Sequence, residues 1–204
     1  MIAILDYGMG NVKSIQSMLK KIGQESIITS DLNIISQEWK YILPGVGSFD
    51  AGMRNLINSG IDKVLHHEVC VGKKKVLGIC LGMQLLTKRS EEGQEPGLGW
   101  VDAETKRFSF SGEERKLPIP HMGWNSINVV RPLGLFSGLP EDQRYYFTHS
   151  YHVVCHNTED VVAESNYGGP FTCAFQRENV FGVQFHPEKS HKYGMALLKN
   201  FCEV

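Results

Sequence analysis

Apolar positions along the first eighty residues follow two periods. Ile2–Leu5 is an unbroken apolar run that stops at Asp6, and the turn Tyr7-Gly8-Met9-Gly10 follows it. Asn11 suits a helix N-cap. After it, Val12, Ile15, Leu19 and Ile22 recur at spacings of 3, 4 and 3, one face of a helix that closes at Gly23. Ser26–Thr29 and Lys40–Leu43 predict two more strands, the second ended by Pro44-Gly45. Helices are predicted over 49–56 and 61–69, and a strand over 76–79. Strand, helix, strand at this pitch builds parallel βαβ units. Beyond position 100 the pattern becomes strand-like over 100–110, 126–130, 144–155, 161–166 and 172–185, with Arg177-Glu178-Asn179 as a hairpin turn. A helix over 193–201 closes the chain. No repeat or low-complexity linker divides it, so residues 1–204 are read as one α/β domain, a mixed and mostly parallel sheet flanked by helices.

Composition narrows the function classes. With 204 residues and 42% hydrophobic content the chain can bury a substantial core. Its formal charge of −1 implies no basic face, and the run Lys73-Lys74-Lys75 is too short for a nucleic-acid contact. The apolar start meets an acid at Asp6, too early for a signal peptide or a membrane span. Five cysteines, at 70, 80, 155, 173 and 202, are scattered, with no CxxC pair and no Cys/His cluster of zinc spacing. That usage fits a reducing cytoplasm and leaves each thiol either inert or chemically used. No metal and no cofactor is expected. Gly8-Met9-Gly10 invites a dinucleotide-binding reading, but the next glycine is Gly23, so GxGxxG is not met.

One thiol stands apart. Gly78-Ile79-Cys80-Leu81-Gly82 follows a strand and precedes a helix-like segment, the layout of a nucleophile elbow with cysteine in place of serine. At such a strained turn, side chains two residues before and after the nucleophile would crowd it. The N–H groups of a following helix would favour a thiolate and a developing oxyanion. A catalytic thiol needs a base and a group that orients the base. Of eight histidines, His186 ends an apolar strand and is followed by Pro187-Glu188, whose carboxylate can turn back onto the imidazole. Pro44-Gly45-Val46-Gly47-Ser48 follows the third strand, and its glycines let backbone N–H groups approach a substrate.

Six ordered motifs carry a resemblance over nearly the whole chain: DYGMGN, LPGVGSFDAGM, GICLGMQLL, PHMGWN, YYFTHSYHV and GVQFHPEKS. Together they resemble the class I glutamine amidotransferases. Within that class they are most similar to the glutaminase subunits of imidazole glycerol phosphate synthase, from histidine biosynthesis. The resemblance implies a flavodoxin-like fold in which Cys80 attacks the carboxamide of L-glutamine, His186 moves the proton and Glu188 orients it. It implies an oxyanion hole from the amides of Val46 and Leu81, and substrate contacts from Gly47, Gln84, His149, Ser150 and Tyr151. Ammonia would pass to a (βα)₈-barrel cyclase partner, towards which Asn11, Trp124, Asn125, Tyr146 and Lys189 would lie. For Trp124 plain core packing is the alternative. Positions 90–100 and 187–201 resemble equally a branch of the family tied to surface-polysaccharide synthesis, where a sugar amidotransferase would receive the ammonia.

Overall fold

A computed structural model describes residues 1–112 and 117–204. Four parallel strands form in the order of the pattern: β1 (Ile2–Leu5), β2 (Ser26–Thr29), β3 (Lys40–Leu43) and β4 (Lys75–Ile79). Between them lie α1 (Val12–Lys21), α2 (Leu32–Gln37), α3 (Phe49–Ser59) and α4 (Ile61–Leu65). Asn11 caps α1 as expected, its side chain accepting from the Ser14 N–H at 3.2 Å. Helix α2 escapes the pattern because six residues are too few to show a period. The helix expected over 61–69 changes after Leu65 into a π-helical turn, His66–Val71.

A one-turn helix, α5 (Leu81–Leu85), follows β4. The second half supplies β5 (Ala103–Arg107), β6 (His121–Val129), β7 (Arg144–His149), β8 (Tyr151–Cys155), β9 (Val161–Asn166), β10 (Pro170–Arg177) and β11 (Val180–Val183), then α6 (His191–Glu203). The continuous strand expected over 144–155 is broken at Ser150. The turn expected at 177–179 does join β10 to β11.

The main path of the sheet runs β2-β1-β3-β4-β11-β10-β9-β6-β7, with β5 and β8 paired beside it on β10. Among the described residues four strand pairs are parallel and six antiparallel. "Mostly parallel" therefore describes only the half formed by β2, β1, β3, β4 and β11. Second-half strands joined by short turns can pair only antiparallel, because a parallel partner needs a long crossover.

Alternation along the strands feeds two cores. Ile2, Ile4, Ile42, Leu77, Ile79 and Val183 face α1 and α6, while Ala3, Leu5, Tyr41, Leu43, Val76 and Val180 face α3, α4 and α5. At the far end of α6, Lys40 Nζ reaches from β3 and donates to the carbonyls of Phe201, Cys202 and Val204. A cation here satisfies carbonyls that the last helical turn leaves without partners. Lys40→Met keeps the aliphatic stem but strands those acceptors. Urea unfolding should show a loss of about 1–3 kcal/mol. Lys73 and Lys74 pair with Glu178 and Glu68, so these two members of the basic run are occupied by carboxylates. No helix of the described residues is long and apolar enough to cross a membrane.

Candidate active site

Cys80 sits between β4 and α5 at φ +55° and ψ −111°, a backbone region that costs a non-glycine residue about 1–2 kcal/mol. The Cys80 N–H donates to Val183 O at 2.8 Å, and its own carbonyl accepts from the Gln84 N–H. The flanking glycines are explained by contact. A Cβ on Gly78 would come within 2.7 Å of the Gly82 backbone. A Cβ on Gly82 would overlap the Leu43 carbonyl oxygen. The elbow is therefore clamped between the ends of β3 and β4. The thiol itself is 7% exposed.

His186 follows β11, whose register with β4 places its end beside the end of that strand. Its Nδ1 lies 2.8 Å from Glu188 Oε1, so this nitrogen carries the proton and Nε2 is turned away from the carboxylate. Nε2 is buried and makes no hydrogen bond. Burial works against a charged imidazole, but the Cys80 thiolate and the Glu188 carboxylate outweigh it and raise the pKa to about 10. Ser190 fixes the loop: its Oγ donates to His186 O at 2.7 Å and accepts from the Tyr146 N–H at 3.0 Å. The His186 N–H donates to Tyr146 O at 2.9 Å.

A cavity of about 240 Å³ opens in front of the thiol. Val46, Gly47, Cys80, Leu81, Gln84, His149, Ser150, Tyr151 and His186 all line it, so the fold brings these nine expected residues together from four separate stretches of the chain. Glu188 stands behind His186. Below the usual ~300–1,000 Å³ of ligand pockets, the space suits a single amino acid better than an extended peptide.

The pair of amide donors expected from Val46 and Leu81 is not assembled. The Leu81 N–H donates to Gly45 O at 3.3 Å, and in a planar trans peptide the Val46 N–H points opposite to that carbonyl. The carbonyl thus occupies the place of the second donor. Helix α5 is also only one turn long, so local N–H groups matter here more than a helix dipole.

The partner-facing group divides. Trp124 is 44% exposed, which rules out plain core packing. Arg144 lies over its ring, Tyr146 meets it edge-on and the His191 imidazole stacks parallel to it. Lys189 covers Tyr146 at 5.5 Å. Trp124 and Asn125, as neighbours on β6, point to opposite faces, and Asn125 is turned inward. Its amide donates to Asn166 O at 2.9 Å and to His121 Nε2 at 3.2 Å. Asn11 spends its side-chain oxygen on the cap of α1.

Several residues escaped the sequence reading. Glu92 lines the cavity while accepting the Phe49 N–H. Tyr7 donates to Pro44 O beneath the glycine loop. His121 Nδ1 meets His149 Nε2 at 2.9 Å, and His149 Nδ1 meets Tyr151 O at 2.8 Å. A carbonyl only accepts, so His149 donates through Nδ1 and His121 donates to His149. Burial holds both imidazoles neutral, His121 down to about 4 and His149 to about 3. Gln184 is fully buried beside the thiol. A strand-end polar residue two positions before His186 was the available signal.

Residues 3–204 match the family described as glutamine amidotransferase class-I. The chain is similar to the imidazole glycerol phosphate synthase subunit HisH 2 of Pseudomonas aeruginosa, at 49% identity over all of both chains. It is 51% identical to the subunit of the same name from Methanococcus maripaludis, covering all of this chain and 99% of that one. A solved glutamine amidotransferase shares the fold at 19% identity, with a TM-score of 0.77 over 99% of this chain and 97% of that one. Matched over all but its first two residues and half identical to full-length relatives, the chain belongs to the class I glutamine amidotransferase family.

Proposed function

We propose that the chain is the glutaminase subunit of an imidazole glycerol phosphate synthase, hydrolysing L-glutamine and passing the ammonia to a (βα)₈-barrel cyclase in the cytoplasm. The observation that carries it is the buried Cys80–His186–Glu188 array facing a cavity of amino-acid size. Cys80 Sγ, as thiolate, attacks Cδ of the substrate carboxamide and a C–S bond forms. His186 gives its Nε2 proton to the amide nitrogen, the C–N bond breaks and ammonia leaves. Water then gives a proton back to His186 and its oxygen attacks the thioester carbon. The C–S bond breaks, releasing glutamate and restoring the thiolate. Dividing amide hydrolysis into two acyl transfers lowers each barrier. Glu188 holds the imidazole in the tautomer that keeps Nε2 towards the sulfur.

Glutamine enters as a zwitterion. Glu92 is the carboxylate of the pocket wall, suited to its ammonium group, and Ser150 and Tyr151 line that wall at the break between β7 and β8. Both amide hydrogens of Gln84 are used by the protein, on Tyr151 O and Gln184 Oε1 at 3.1 Å each. Only its carbonyl oxygen is left for the substrate. Oxyanion stabilisation requires the Gly45–Val46 peptide to turn, freeing the Leu81 N–H and bringing in that of Val46. The face bearing Trp124, Tyr146 and Lys189 is continuous with the His186 loop through the Ser190 bonds, which is where a docked cyclase would act.

Glutamate release should be slow for the chain alone. It should rise on the order of 10²-fold with the cyclase and its nucleotide ligand, the effect of gaining oxyanion donors. Positions 90–100 and 187–201, which resemble equally the branch tied to surface polysaccharides, support a second reading: a paralogous glutaminase that feeds a sugar amidotransferase. No response to the cyclase, with full response to that enzyme, would select the second reading. No response to either would overturn both.

A further inference from the structure

A chain of hydrogen bonds of fixed direction ends on the nucleophile. The Tyr151 carbonyl can only accept, so Gln84 must present its NH₂ group there, at 3.1 Å. The second hydrogen of that group meets Gln184 Oε1, also at 3.1 Å. With its oxygen committed to Gln84, Gln184 has only its NH₂ group left to face Cys80 Sγ, at 3.7 Å. The orientation of both carboxamides is thus set by one backbone carbonyl and not by choice of fit. Tyr151 O also accepts from His149 Nδ1; His149 accepts through Nε2 from His121 Nδ1, and His121 Nε2 accepts from the Asn125 amide. Gln184 is fully buried on the strand end that carries His186, and its own N–H is tied to Cys173 O at 2.8 Å.

We infer that Gln184 is a catalytic residue of this site: its carboxamide, polarised through Gln84 from the Tyr151 carbonyl, donates to Cys80 Sγ and holds the sulfur as the aligned thiolate. The same sulfur also lies 3.9 Å from the Thr148 carbonyl, to which only a protonated thiol can donate. Proton loss leaves a sulfur that can only accept, which favours the side facing Gln184 and His186. Hydrogen bonds to the charged form stabilise that form. Tyr151 itself lines the pocket, so substrate seated on this stretch bears on the bond network that ends at the thiol. The other titratable groups on the pocket side are His186 after β11, His149 at the end of β7, Tyr151 at the start of β8 and Glu92, with Tyr7 behind the loop. His149 stays neutral and His186 charged across the neutral range.

This inference rests on Cys80 being the nucleophile, and the test separates the two. The rate of iodoacetamide alkylation at Cys80 is followed against pH in the whole chain, with the modified site read by mass spectrometry and glutamate release measured in parallel. Burial pushes the other thiols up, to about 12 at Cys155 and about 11 at Cys202, so neutral-pH labelling reports on Cys80. Gln184→Met should move the alkylation profile up by about one pH unit, read as a roughly tenfold loss on its acid limb.

Gln184→Glu separates a thiolate donor from a packing role. It still accepts from Gln84, so a residue that merely holds Gln84 would leave this variant close to wild type. A donor to the thiolate would instead make it slower than Gln184→Met, since a carboxylate then faces the sulfur. Profiles equal to wild type in both variants would overturn the assignment. If neither variant folds, the assigned Gln184 side-chain NH₂ pair in ¹⁵N-labelled wild type should shift with the ionisation of Cys80 and stop after alkylation. A pair that does not follow the thiol would equally overturn it. Should labelled Cys80 leave glutamate release intact, the nucleophile itself is misassigned and both readings fall.

Discussion

Cys80→Ala should abolish glutamine hydrolysis, with kcat lowered at least ~10⁴-fold, the loss expected when the nucleophile of a triad is removed. Alanine keeps the Cβ and removes only the sulfur, so the elbow at φ +55° gains no new strain. No bond of the Trp124 face runs through Sγ, whose partners are Thr148 O and Gln184 Nε2. Affinity for the cyclase should therefore be unchanged by titration calorimetry. Supplied with an ammonium salt at alkaline pH, the complex should still make product, because the free base reaches the acceptor without the thioester. Glutamine-dependent turnover persisting in this variant would show that another group attacks the amide.

Gly82→Ala should be among the most damaging single methyls that the described residues could receive. The added carbon would overlap Leu43 O and stand 2.8 Å from the Leu43 carbonyl carbon. Both contacts are with the backbone of a central strand, which no side-chain rotation relieves. Either β3 or the start of α5 must move by the order of an ångström, and the Cys80 turn moves with it. Overpacking of this kind costs about 3 kcal/mol or more, and misplacing a nucleophile by ~1 Å costs about 10²-fold in rate. Urea unfolding and glutamate release with the partner measure the two losses. Gly23→Ala provides the contrast. Gly23 has a positive φ of 77° but open space around its Cβ position, so only the backbone strain of about 1 kcal/mol should appear. A Gly82→Ala chain as stable as Gly23→Ala would mean that the elbow is not packed as described.

Much of this was legible because the informative residues are local. β1, β2 and β3 stand at their expected bounds because a buried parallel strand is a short apolar run with turn residues at its end. Asn11 could be read as a cap from its position before Val12, and the bond to Ser14 bears this out. The glycines around Cys80 signalled crowding, and contacts with Leu43, Leu86 and Gly82 itself supply it. Boundaries failed where tertiary pairing decides them. Positions 144–155 look continuous, yet the chain breaks at Ser150 because Arg144–His149 pairs with β6 while Tyr151–Cys155 pairs with β5.

The division follows the range of the forces. Residue type and spacing alone were enough to determine the α/β alternation, the elbow, and the His186–Glu188 pair, since each depends on neighbours within a few positions. Three things depended on segments far apart in the chain meeting in space. The Gly45 carbonyl accepts the Leu81 N–H expected to face the substrate, across 36 positions. Asn125 turns inward and Trp124 outward, because β6 has one face against the histidine pair and one towards solvent. Gln184 acquires its direction only from Gln84 and Tyr151, each on another element. Hydrogen bonds have a donor and an acceptor, and no pattern along one strand says which end of a buried carboxamide a distant carbonyl will demand.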